Sequence, residues 1–223
     1  MRYILLCLLL IVSVSCAKIE ITKGTDFFQL TGKVKQVSEN GYKAILNETN
    51  NWVRDPQDSL ECLLITRFDE KGNPLEERNY SLETREYKLK TSYTYNEGRL
   101  DKVLTYGYDQ NIIKTEKVVR SGQGFAISEL SITSESSSDP EKMLLQWEGN
   151  RIHQMVYNGT TSRLEYDEKG FERKLTVTRK GKEDEITLYE YLNFDSEGNW
   201  TKQVLHDAGE SSGYITEREI TYY

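Results

Sequence analysis

Short alternations of apolar and polar residues, rather than helical stripes, run through most of this chain. In KLTVTRK, Leu175 and Val177 share one face; in ITLYEYLNF, Ile186, Leu188, Leu192 and Phe194 oppose Tyr189 and Tyr191; in TSYTY, Tyr93 and Tyr95 fall together. A period of two, rich in β-branched and aromatic residues, predicts strands. Turn-forming pairs cut the runs at short intervals: Asn40-Gly41, Gly72-Asn73, Glu97-Gly98, Gly149-Asn150, Asn158-Gly159, Lys169-Gly170, Lys180-Gly181 and Gly198-Asn199. Asn-Gly is the strongest of these cues, because both residues tolerate a positive φ. The expected fold is all-β: a single curved antiparallel β-sheet, a meander of roughly 12–15 strands built from hairpin repeats, open or rolled into a partial barrel, with little or no helix. The best helical candidate opens with Asp139 as N-cap and Pro140 as first helical residue, and the same residues fit a strand entering Trp147. Residues 47–59 read as a loop with Trp52 against the sheet, and the Ser-rich stretch 134–140 as an irregular excursion.

One phrase recurs between strands. Phe68-Asp69-Glu70-Lys71-Gly72-Asn73, Tyr166-Asp167-Glu168-Lys169-Gly170-Phe171 and Phe194-Asp195-Ser196-Glu197-Gly198-Asn199 share a form. Tyr95-Asn96-Glu97-Gly98 and Trp147-Glu148-Gly149-Asn150 are shorter copies, and Tyr108-Asp109-Gln110-Asn111 is a degenerate one without the Gly. The aromatic closes a strand over the hairpin end. Asp69, Asp167 and Asp195 open turns by accepting from backbone amides ahead of them, and Gly72, Gly98, Gly149, Gly170 and Gly198 supply the left-handed residue that ends each turn.

The N-terminus has a different character. Arg2 precedes an apolar run, Tyr3 to Val14, that is too short to span a hydrocarbon core of ~30 Å as a helix. A positive start, an apolar stretch and small residues at its end (Ser13, Ser15) describe a secretory signal. Those small residues directly before Cys16 resemble the lipobox of bacterial lipoproteins, with Ser13 where that pattern prefers Leu. The resemblance implies cleavage before Cys16, a thioether-linked diacylglycerol on it, and membrane anchorage through the lipid.

The aromatic-Asp-x-x-Gly phrases resemble the YD repeats of the Rhs family. FDSEGNWTKQV and the stretch Leu30 to Val37 resemble bacterial lipoproteins that carry degenerate YD-like repeats. The resemblance implies antiparallel hairpin sheets. Rhs shells enclose a toxin cargo; the expected repeat domain is too short for a closed shell, and the cargo role is not expected to carry over. The expected division is a lipoprotein signal peptide over 1–15, a tether over 16–29 and a YD-like β-repeat domain over 30–223.

Composition narrows the chemistry. Among 223 residues, 29 are Lys or Arg and 36 Asp or Glu, for a net charge of -7. An acidic chain without a basic run makes a poor nucleic-acid binder. Cys7 falls in the expected signal and Cys16 would be acylated, which leaves Cys62 alone and excludes an intramolecular disulfide in the mature chain. Cys62 sits in an apolar stretch with no His nearby, the setting of an inert thiol. His153 and His206 belong to no cluster at metal-ligand spacing, so no metal or cofactor is expected. The acidic pairs lie in turns, where carboxylates are solvated, and no pair set up for glycoside hydrolysis is visible. Gly122-Gln123-Gly124 reads as a turn.

The candidate binding residues are therefore Tyr93, Tyr95, Tyr189 and Tyr191, either an exposed row that stacks sugars or anchors a protein, or simple filling of half-exposed strands. Asp58-Ser59-Leu60 fits a short O-glycosylation acceptor pattern. The expected function is that of a non-catalytic cell-envelope lipoprotein of a Gram-negative bacterium, anchored at the outer membrane, serving as a β-repeat scaffold for a protein or glycan partner. The alternative is a carrier that holds a lipid or acyl chain on a concave apolar sheet face. An envelope hydrolase is a third class.

Overall fold

A computed structural model describes residues 28–57, 62–121, 127–134, 137–149 and 151–223. The expected signal, Cys16, most of the tether, Ser59 and the Gly122-Gln123-Gly124 turn lie outside the described residues. The strands are β1 (Val34–Leu46), β2 (Trp52–Arg54), β3 (Cys62–Phe68), β4 (Pro74–Ser81), β5 (Glu86–Asn96), β6 (Arg99–Tyr106), β7 (Ile112–Ser121) and β8 (Ile127–Ser134). They continue as β9 (Ser137–Glu148), β10 (Arg151–Tyr157), β11 (Thr160–Tyr166), β12 (Glu172–Arg179), β13 (Glu185–Phe194), β14 (Trp200–Asp207) and β15 (Ser212–Tyr222). Asp139 and Pro140 lie inside β9, so the helical candidate is a strand. Each strand from β3 onward pairs antiparallel with the next.

The sheet is not open. β15 returns to pair with β1 along nearly its full length, from Val34↔Tyr222 to Ile45↔Ser212. β1 also pairs with β3 on its other side, so 14 strands close a ring, and β2 continues that second side above β3. The expected curved sheet is thereby corrected to a closed barrel. Twist accumulated across a long meander brings its two edges together, and pairing them removes the unpaired N–H and C=O groups an open edge would leave.

Residues directly opposite in the ladder share a face, which divides the barrel into inside and outside. Inside stand Tyr93↔Val103, Tyr95↔Leu100, Leu130↔Met143, Leu145↔Met155, Trp147↔Ile152 and Leu164↔Leu175, which form the main apolar cluster. Outside stand Arg67↔Glu76, Lys102↔Lys117, Gln154↔Arg163, Glu165↔Lys174 and Lys202↔Glu217. These inner pairs are apolar or aromatic, and these outer pairs are charged or polar.

All the repeated phrases but the degenerate one sit at one end of the barrel, where β1 begins and β15 ends. In the first, Gly72 N–H donates to Asp69 O (2.9 Å), while the Asp69 carboxylate accepts from the amides of Lys71 (2.9 Å) and Asn73 (2.8 Å). Asp167 and Asp195 repeat the arrangement around Gly170 and Gly198. Gly98 and Gly149, just past the ends of β5 and β9, take the same left-handed conformation. The degenerate copy is displaced by two residues. Gly107 occupies the Asp position and Gln110, at φ 65°, the Gly position, so the aromatic of that turn is Tyr106, and the turn lies at the opposite end.

The aromatics tie successive turns together. Tyr95 Oη donates to Pro74 O (2.7 Å) and Tyr166 Oη to Ile152 O (2.7 Å), each linking the end of one strand to the start of the strand before it. Phe68 is buried, whereas Phe194 is partly exposed with its ring against Phe171.

Asn158-Gly159 forms the hairpin its sequence suggests, at φ 51° and 70°. Asn40-Gly41 does not: both residues lie within β1. Gly41 serves proximity instead, since a Cβ there would stand 1.9 Å from the Tyr214 hydroxyl. Trp52 covers the outer face of β14, β15 and β1, packing on Ala44, Val204 and Ile215 while its indole N–H donates to Glu190 (2.9 Å).

Candidate functional site: the barrel lumen

Eight strands make a barrel that side chains just fill; 14 leave more room. Part of that room is taken by the chain preceding β1. Phe28 packs edge-on against Phe68 with ring centroids 5.4 Å apart, and Leu30 is buried with Val34 and Val37. Thr31 is held by the last repeat turn, as its N–H donates to Asn199 Oδ1 (2.6 Å) and its carbonyl accepts from Asn199 Nδ2 (3.1 Å). Residues 28–31 thus plug the end where the repeat turns lie.

Beside this plug lies a cavity of about 270 Å³. Trp147, Ile152, Met155, Leu164 and Leu175 make its apolar wall, with Tyr166 and Tyr189 at its margin and Arg151, Glu172 and Gln29 as its polar groups. Arg151 stacks over Tyr166, 5.2 Å from the ring centroid. It can do so because position 170 is glycine: a Cβ there would fall 1.6 Å from Arg151 Nη2. That repeat glycine therefore closes a turn and admits a cation to the lumen. Gln29 of the plug reaches Glu172 at 3.5 Å.

The electrostatics follow from burial. Desolvation pushes the Glu172 carboxyl up, with Arg218 pulling against it. Desolvation, with the Glu172 charge adding to it, pushes Tyr189 up to about 12 and Tyr191 higher still. Tyr93 is raised by burial and by Glu77, whose carboxylate accepts its hydroxyl at 2.8 Å. These phenols stay neutral across the physiological range and act as hydrogen-bonding groups.

Tyr93, Tyr95, Tyr189 and Tyr191, read either as an exposed row or as filling of half-exposed strands, are half-buried side chains of the inner face. Tyr93 and Tyr95 pair with Val103 and Leu100 on the inner face, and Tyr189 and Tyr191 pair with Leu205 and Gln203 there. The alternation placed them on one face correctly; barrel closure turned that face inward. Asp69, Gly72, Asn73, Gly98, Gly149, Asp167, Gly170, Asp195, Gly198 and Asn199 hold turns at one barrel end. Sequence reasoning passed over Glu172, Arg151 and Arg218. Each lies in a stretch that reads as solvated turn or edge, and only closure makes it luminal.

A cleft of similar size, about 230 Å³, lies around Tyr80, Lys88 and Tyr106, where lysines and Gln110 line it with the tyrosines. Among the described residues there is no group of three or more His, Cys, Asp and Glu placed to hold a metal, and no helix long and apolar enough to cross a membrane.

No protein-family model matches the chain, and no curated protein does. Solved structures do. A porin-like protein from Bacteroides uniformis superposes with a TM-score of 0.50 at 9% identity, over 86% of this chain and 99% of that one. A LolA-superfamily protein from Nitrosomonas europaea gives 0.40 at 11% identity, over 92% and 94%. A Tc holotoxin pore of Photorhabdus luminescens gives 0.29 at 11% identity, over 73% of this chain and 11% of that one. The first of these likenesses is one of fold.

The outer wall marks a difference from a lipid-embedded barrel, whose outward residues form an apolar band about 25 Å tall. A charged residue on that face costs ~2–4 kcal/mol at mid-bilayer for Arg or Lys. Here Arg67, Lys102, Lys117, Arg163, Lys174 and Lys202 all point outward from strands around the ring. Charged residues are thus spread around the outer face of the ring, while the main apolar cluster lies inside it.

Proposed function

We propose that this protein is a non-catalytic binding barrel of the bacterial envelope that holds an acyl chain or a similarly slender apolar molecule in its lumen. The observation that carries the reading is the cavity of about 270 Å³ among Trp147, Ile152, Met155, Leu164 and Leu175, set inside a wall whose outer face is charged. At ~30 Å³ per water in the liquid, the space matches about nine waters and lies near the lower end for small-ligand sites. An apolar lining makes water a poor occupant, and each buried CH₂ contributes ~0.8 kcal/mol.

The carrier reading is preferred over a scaffold presenting tyrosines outward, because those tyrosines line the lumen. The Cys16 lipid anchor complements it: a tethered barrel would stay at the outer-membrane surface where acyl chains are found. In this reading the membrane contact is the anchor alone, and nucleic acid plays no part.

Titration of the barrel with the neutral fluorophore N-phenyl-1-naphthylamine tests the reading. Saturable binding at one site per chain, abolished by Met155→Trp with unchanged circular dichroism, is expected. Absence of saturable binding, or binding indifferent to Met155→Trp, contradicts it.

A further inference from the structure

A second cavity, of about 90 Å³, lies against the plug, with Phe28, Leu30 and Phe68 on its apolar wall and Glu39, Glu77 and Arg218 as its charged groups. Arg218 has a side chain only 12% exposed. Its Nε donates to Glu39 (2.7 Å) and its guanidinium lies 3.4 Å from the Trp200 ring centroid. Its Nη1, shielded from solvent, has no hydrogen-bond partner. A guanidinium does not shed its proton, so that buried donor needs an acceptor.

The surrounding charge restricts what the acceptor can be. Glu39 is paired with Arg218, Glu77 accepts the Tyr93 hydroxyl, and Glu172 on the larger cavity also interacts electrostatically with Arg218. At the smaller cavity the one cation already faces two carboxylates, Glu39 and Glu77, while Glu172 stands with Arg151 at the larger one. A further anion would meet net repulsion in a poorly solvated space, whereas a neutral oxygen would not.

We infer that the smaller cavity receives an uncharged oxygen acceptor of the luminal ligand, an ester or amide carbonyl or a hydroxyl, on Arg218 Nη1, so that the barrel selects neutral amphiphiles over fatty acids. This rests on the luminal-binding reading and adds the polar end of the ligand to it. Arg218 supplies the donor. Glu39 holds the guanidinium in place through Nε and excludes a carboxylate by its charge.

The test is displacement of N-phenyl-1-naphthylamine from the full chain at pH 8 by dodecanoate, methyl dodecanoate, dodecanol and dodecane. Methyl dodecanoate and dodecanol should displace the probe at concentrations about tenfold below those of dodecanoate, one charge repulsion being worth that factor or more. They should also surpass dodecane. Glu39→Gln, which removes one repelling charge, should close most of the gap between ester and acid. Glu39→Gln/Arg218→Met removes the ion pair as a unit and should bring the ester down to the level of dodecane. Dodecanoate binding as tightly as its ester, a gap unchanged in Glu39→Gln, or dodecane equal to the ester would overturn the inference while leaving luminal binding intact. If none of the four compounds displaces the probe, luminal binding fails and the inference with it.

Discussion

Asn199 and Thr31, 168 positions apart, are joined by two reciprocal hydrogen bonds: the Thr31 amide donates to Asn199 Oδ1 and the Asn199 carboxamide donates to Thr31 O. The same carboxamide donates to the Tyr222 hydroxyl (2.7 Å), which in turn donates to Asp195 Oδ2 (2.5 Å). Asn199 is fully buried. A turn that looks like its fellows in sequence thus locks the plug to the barrel end. Asn199→Ala should lower unfolding free energy by about 2–4 kcal/mol, because buried donors and acceptors lose their partners. Asn73→Ala, at the matching position of the first turn, removes a local bond to Asp69 and should cost about 1 kcal/mol or less. Urea unfolding of both variants measures the difference.

Gly41 and Tyr214 share one space inside the barrel. Gly41→Ala should destabilise by about 1–3 kcal/mol, the usual range for overpacking. Tyr214→Ala should cost less in the Gly41→Ala background than in the parent, since the side chain that clashes is then gone. A double-mutant cycle measures this coupling, and additive effects would refute shared occupancy.

Glu172 gives a pH dependence of definite sign. Its carboxyl is raised by burial in the folded state, so the native protein binds the proton more readily than the unfolded chain. That contribution to stability is present below the unfolded carboxylate range and is lost as pH rises through the higher native value. Glu172→Gln keeps an acceptor for Gln29 and removes the charge. It should stabilise the barrel at neutral and alkaline pH, with the gain vanishing in acid. Thermal midpoints at several pH values report it.

The paired tyrosine links offer a test of the repeat. Tyr95→Phe and Tyr166→Phe each remove one hydroxyl-to-carbonyl bond at the turn end, with an expected cost of about 0.5–1.5 kcal/mol apiece. The bonds share no partner, so the double variant should equal the sum of the singles. Denaturant midpoints at constant slope check both points.

Much of the wall was legible from local signals. Alternation located strands, Asp-x-x-Gly phrases located turns, and Trp52 was recognisable as a residue folded onto the sheet. Closure was not legible, because it rests on β1 and β15 meeting across almost the whole chain. Arg218 shows the consequence: in Thr-Glu-Arg-Glu it reads as an exposed charge, and its partner Glu39 lies 179 residues away. Period-two alternation separates two faces without saying which becomes interior, so Tyr189 and Tyr191 could be grouped on one face but not assigned to the lumen. Asn40-Gly41 misled for a related reason, as a glycine that makes room for Tyr214 looks locally like one that makes a turn.

Native mass spectrometry of the protein released gently from bacterial membranes tests the central claim most directly, with parent and Met155→Trp run side by side. The parent barrel should carry one non-covalent apolar ligand per chain, separable from any mass bound covalently at Cys16, and the variant should carry none. A parent barrel without a ligand, or one retained equally by Met155→Trp, would contradict luminal binding.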